Sequence, residues 1–348
     1  MLVSFWVRNR RSDLDRHRRV LLQMLGAGVL VVGGGNLFSA YPVRAPFNAA
    51  AAQSDVVWDA DIDNPFESIE TIATGFDWTE GPVWLGDENG SLLFSDVPGN
   101  AIFRWNGELT TAFLAPSGYS NFPLPDFIRE GGSNGLAIGR GGLVIADSGN
   151  RCISVVDLAT RSRTILADNY QGKRFNSPND LVIAQNGDVY FTDPPFGLVG
   201  VRESPLRELD FTGVFRIDAN NQVHLIADNL NPNGIALSPD NRILYVTDAD
   251  GWMAIDLDEN GVPGNQRVLI PRSALDGRGD GMKVDIHGNL WTSGPGGIHV
   301  FSETGQHLGF ASIDGRASNL AFGPGGLVYI TNDNNVLRAK IRAGFAQH

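Results

Sequence analysis

From residue 80 onward, the hydrophobic and polar positions repeat one phrase. A polar residue and a small one precede a short apolar alternation. A turn rich in Gly or Asn follows, and a second apolar run ends in Asp or a close relative. The phrase opens at Glu80-Gly81-Pro82-Val83-Trp84, Asn134-Gly135-Leu136-Ala137-Ile138, Asn179-Asp180-Leu181-Val182-Ile183, Asn233-Gly234-Ile235-Ala236-Leu237, Asp280-Gly281-Met282-Lys283-Val284 and Asn319-Leu320-Ala321-Phe322. Its second runs end at Asp96, Asp147, Asp193, Asp248, Ser293 and Asn332, and successive copies start 54, 45, 54, 47 and 39 residues apart. Apolar residues at period two, interrupted by turns such as Gly141-Gly142, Asn186-Gly187 and Gly325-Gly326, predict short strands. Several strands recurring every 40 or so residues are the pattern of β-propeller blades.

Six copies predict an all-β, six-bladed β-propeller forming one domain over about residues 55–348, with rings of five or seven blades as the alternatives. Copy six leaves room for only about three strands before His348. The stretch Glu67–Ala73 has strand character and is expected to join that last blade, closing the ring and removing an open sheet edge.

The chain begins differently. Arg8, Arg10, Arg11, Arg16, Arg18 and Arg19 precede an apolar run over Val20–Val32, and small residues gather at Ala49–Ala52. This is the layout of an export signal over residues 1–52. Arg18-Arg19 directly before Val20-Leu21-Leu22 resembles a twin-arginine signal, although His17 replaces the usual hydroxyl residue. The run falls short of the roughly 20 residues a bilayer crossing needs. The folded part is expected to be exported, periplasmic or extracellular; an uncleaved membrane anchor is the alternative.

Composition narrows the function. A formal charge of −12 argues against nucleic acid as a partner. A single cysteine, Cys152, excludes an intrachain disulfide and a thiolate metal site. Lysine occurs only at 173, 283 and 340. No membrane contact is expected beyond the export signal, and a closed ring is expected to be a monomer.

The opening residue of each copy carries the chemistry. Ring symmetry sets Glu80, Asn134, Asn179, Asn233, Asp280 and Asn319 at one height around one axis, and all six bear carboxylate or carboxamide oxygens. Repetition explains a recurring polar residue; it does not require two of them to be acids. Two converging carboxylates repel unless one stays protonated or a cation sits between them. Ca²⁺, which takes six to eight oxygen ligands, suits this set, with Mg²⁺ as runner-up. The column contains no His or Cys, which disfavours zinc. For any single Asn, the competing reading is a cap on a strand end or turn.

The same residues carry a resemblance. The segments Phe76–Trp84, Asn176–Asp180, Tyr190–Gly197 and Gly279–Asp285 resemble the SMP-30/gluconolactonase family, and Asp147–Arg151 is similar to an NHL repeat. The resemblance implies a six-bladed propeller with Ca²⁺ or another divalent ion in its axial channel (Mg²⁺, Mn²⁺ and Zn²⁺ are tolerated among members) and hydrolysis of lactones and related esters. It implies Glu80, Asn179, Asn233 and Asp280 as metal ligands, with Asn134 and Asn179 as substrate contacts. Relatives of the paraoxonase type have a catalytic His where this chain has Asn134. Arg174, just before the Asn179 loop, is a further candidate substrate contact.

The expected reaction is metal-dependent opening of a lactone. The cation polarises the carbonyl, and Asp280 orients or deprotonates the attacking water. Loops 119–132 and 194–209 would select the substrate. Two alternatives remain at this level: a phosphotriesterase or arylesterase using the same site, and a propeller that only binds a partner.

Overall fold

The computed structural model describes residues 63–345 except 88, 89 and 122. The predicted export signal, the ends of the predicted domain and Phe122 lie outside the described residues. The described chain is built from strands, with two single-turn 3₁₀ helices at Val201–Glu203 and Arg272–Ala274. No described helix is long and apolar enough to cross a membrane.

Six four-stranded antiparallel sheets follow one another along the chain. Their inner strands are Thr79–Leu85, Ser133–Gly139, Leu181–Ile183, Ile235–Leu237, Met282–Val284 and Ala317–Gly323, here blades one to six. Each inner strand touches the next, and that of blade six touches that of blade one, so the innermost strands form a ring. The fourth strand of blade six comes from the front of the chain. Phe66–Thr74 pairs antiparallel with Asn335–Ile341, from Phe66 opposite Ile341 to Thr74 opposite Asn335, with register shifts between Phe66 and Ser68 and between Thr71 and Ala73. Arg338 Nε donates to Glu70 Oε1 at 2.7 Å across that seam.

The period-two pattern builds the core. Successive side chains of a strand leave opposite faces of its sheet, so each blade can bury both faces. In Ser91–Asp96, Leu92 and Phe94 pack against Tyr329 and Val336 of blade six, while Leu93 packs with Leu136 and Ile145 of blade two. The six apolar clusters each bridge two neighbouring blades. Cys152 is among these buried residues, and burial pushes its thiol up to about 12, so it serves packing rather than reactivity. His299 is also buried, 4% exposed, and burial lowers its pKa to about 4.

Candidate active site

The six opening residues stand where the inner strands begin or bulge. Pairing skips between Glu80 and Val83, between Ser133 and Leu136, and between Ala317 and Asn319. Asn179, Asn233 and Asp280 each lie two residues before the first residue of the inner strands of blades three to five. A bulge or a strand start turns a side chain out of the regular pleat.

Hydroxyls and close glycine contacts fix these positions. Ser95 Oγ donates to the Asn134 carbonyl at 2.8 Å, Thr192 Oγ1 to that of Asn233 at 2.6 Å, and Thr247 Oγ1 to that of Asp280 at 2.8 Å, each reaching the next blade. The Asn179 carbonyl instead accepts the Gly135 N–H at 2.7 Å. The residue after the opening position is Gly in four copies because the blades approach closely there. A Cβ on Gly81 would stand 2.1 Å from the Asn134 carbonyl oxygen, and one on Gly234 would stand 2.1 Å from that of Asp280.

Glu80, Asn134, Asn179, Asp280 and Asn319 are between 1% and 8% exposed, and Asn233 is half-buried. Burial raises the Glu80 carboxyl well above its ordinary value. Asp280 and then Asp180 raise it further by repulsion, against the Gly81 N–H and Arg316. Burial also lifts Asp280, to about 6, opposed by Arg316 and by a hydrogen bond from Asn233. The Asp280 charge thus bears on Glu80, and Asn233 hydrogen-bonds Asp280. Asn134 and Asn179 occupy the equivalent positions of blades two and three.

Arg174 stands apart from this group. It is exposed on the short hairpin joining Asn169–Tyr170 to Lys173–Arg174, and its guanidinium donates to the Asn150 carbonyl at 2.5 Å. The guanidinium at the column is Arg316, whose Nη2 donates to Asp280 Oδ2 at 2.8 Å and whose face lies 5.0 Å from the Trp78 ring centre. Sequence reasoning missed Arg316, Asp180 and Lys283. Asp180 had a signal, being the one acid at a position otherwise held by Gly or Leu.

The donors fit a hard divalent cation. They are carboxylate and carboxamide oxygens only, and the buried acids repel one another. Among the described residues, no three His, Cys, Asp or Glu side chains are grouped to hold an ion. Any ion held here would therefore need amide oxygens as well as carboxylates.

Two long loops share this face, because inner strands leave it and second strands return to it. The loop before Ser133 and the loop after Asp193 are joined by backbone bonds. Arg129 N–H donates to the Gly197 carbonyl at 2.8 Å, and Val199 N–H donates to that of Phe127 at 2.9 Å. Ile128 and Leu198 form an antiparallel bridge, beside which Phe127 and Val199 remain 47% and 43% exposed.

The family model described as SMP-30/Gluconolactonase/LRE-like region matches residues 78–333. Gluconolactonase of Zymomonas mobilis is 43% identical over 293 residues, 79% of this chain and 81% of that protein. Regucalcin of Oryctolagus cuniculus is 27% identical over 237 residues, 66% of this chain and 73% of its own length. Among solved structures, a gluconolactonase from Xanthomonas campestris superposes with a TM-score of 0.72 at 29% identity, covering 84% of this chain and 98% of that one.

Proposed function

Because the chain belongs to the SMP-30/gluconolactonase/LRE-like family, we propose that it is a metal-dependent lactonase that opens a sugar-type lactone by attack of water. The observation that supports this reading is that Glu80 and Asp280, two buried acids from blades one and five, stand close enough for the charge of Asp280 to raise the Glu80 carboxyl. Similarity to the two gluconolactonases supports the substrate class.

Glu80, Asn179, Asn233 and Asp280 would hold the divalent cation, Ca²⁺ by the nature of their oxygens. Bound there, the ion supplies Lewis acidity to the lactone carbonyl. Asp280 holds the attacking water and takes its proton on a carboxylate oxygen. Arg316, bonded to Oδ2, favours the ionised form of Asp280 that this requires. Asn134 and Asn179 hold ring hydroxyls, having both donors and acceptors in their carboxamides. The joined loops, with Phe127 and Val199, form an apolar wall that limits water and selects the substrate. The chain reaches this task by export, directed by residues 1–52.

The test combines metal analysis of the purified protein with hydrolysis of δ-gluconolactone, an aliphatic lactone and paraoxon, with and without EDTA. Chelator-sensitive hydrolysis of the sugar lactone ahead of the others is expected. Lactone hydrolysis that is unaffected by complete metal removal would contradict the reading.

A further inference from the structure

Two charged groups in the channel take no part in this reaction. Asp180 is 3% exposed; its Oδ1 accepts the Leu181 N–H at 2.8 Å, and its Oδ2 accepts from Asn319 Nδ2 at 3.1 Å. Asn319, 1% exposed, turns its Oδ1 to Lys283 Nζ at 3.1 Å, and the same ammonium donates to the Met282 carbonyl at 3.0 Å. The relay thus crosses from blade five through blade six to blade three. A Cβ on Gly281 would lie 2.1 to 2.4 Å from the Asn319 carboxamide, so that side chain is closely confined. Burial raises the Asp180 carboxyl, and the Lys283 charge is the strongest influence against it. Lys283 itself is half-buried. A carbonyl oxygen, a carboxamide oxygen and a nearby carboxylate are the surroundings an inorganic cation would take.

We propose that Lys283 is a tethered cation of the axial channel, its ammonium filling a second cation position between the Met282 and Asn319 oxygens, with Asn319 bridging to the Asp180 carboxylate, so that the chain takes one divalent ion fewer than its oxygens could serve. The proposal rests on the lactonase reading only in supplying the ion at Glu80 and Asp280. Lys283 is a positioning residue: it holds Asn319, which in turn bonds Asp180, and it touches no reacting atom.

Lys283→Met keeps the stem and removes the charge. The test counts bound Ca²⁺ by calorimetry and elemental analysis after dialysis, and follows Tm against CaCl₂. Lys283→Met is expected to bind one Ca²⁺ more than the wild type, with a lower Tm without Ca²⁺ and a larger rise on adding it. Lys283→Arg should bind the wild-type number. Asp180→Asn combined with Lys283→Met should return to that number, the acid having gone with the base. An unchanged count in Lys283→Met, with no added response of Tm, overturns the proposal. If Lys283→Met does not fold, the double variant decides: recovery of folding supports charge pairing, and failure overturns it. A wild type without ion beside a Lys283→Met variant with one would uphold this inference while defeating the metal-dependent reading.

Discussion

Arg316 donates to Oδ2 of Asp280 at 2.8 Å, from a loop whose guanidinium is otherwise open to solvent. An exposed cation therefore sits on an acid that the proposed function offers to a divalent ion. Removing it with Arg316→Ala should strengthen Ca²⁺ binding by roughly three- to tenfold, because a like charge leaves the site. Titration calorimetry in low salt measures this, and the gain should shrink as salt is added. Weaker binding by the variant would show that Arg316 organises Asp280 rather than competing for it.

Asp280→Asn preserves the shape of the side chain and abolishes its basicity. Loss of a proton acceptor at a hydrolytic centre lowers turnover by about 10² to 10⁴. The variant is expected to lose lactone hydrolysis to that extent in kcat, measured at saturating Ca²⁺ so that weakened ion binding does not contribute. Retention of more than a tenth of the wild-type rate would remove Asp280 from its assigned role.

Gly234 links packing to chemistry. Its α-carbon faces the Asp280 carbonyl of the next blade, and an added methyl would stand 2.1 Å from that oxygen. Gly234→Ala should cost about 1–3 kcal/mol through overpacking and should weaken ion binding by moving Asp280. Gly86→Ala, with nothing within 4 Å of the added carbon, is the control. Equal Tm values for the two variants would refute the close approach.

Asp193 gives a pH dependence of stability. Its Oδ2 accepts the Asn176 N–H at 2.7 Å, yet burial raises the carboxyl to about 7. The folded state therefore keeps its proton where the unfolded chain has lost it. The favourable contribution is complete below about pH 4 and is lost as pH rises through about 7. Asp193→Asn should remove this slope, making the variant relatively more stable at pH 8 than at pH 4. Thermal melts across that range check it; a constant difference between the two proteins would contradict the assignment.

Much of this was legible in the repeat. Periodicity two gave the strands, and the recurrence of Glu80, Asn134, Asn179, Asn233, Asp280 and Asn319 gave the column, because ring symmetry converts position in a repeat into position in space. The terminal pairing was readable from Glu67–Ala73, since the last copy lacked a strand. Side-chain reach was not readable. Arg174 is near the column in sequence but bonds Asn150, whereas Arg316 comes from outside every repeated phrase and reaches Asp280. Lys283 has the spacing of an ordinary strand residue; only the turn of Asn319 toward it shows its partner.

The sheet that unites Phe66–Thr74 with Asn335–Ile341 has a consequence for biosynthesis. The first and the last of the described strands are neighbours, so blade six can assemble only after Asn335–Ile341 has been made. Until then Phe66 and Ile69 lack the partners that cover them, leaving an apolar edge of the kind that invites aggregation.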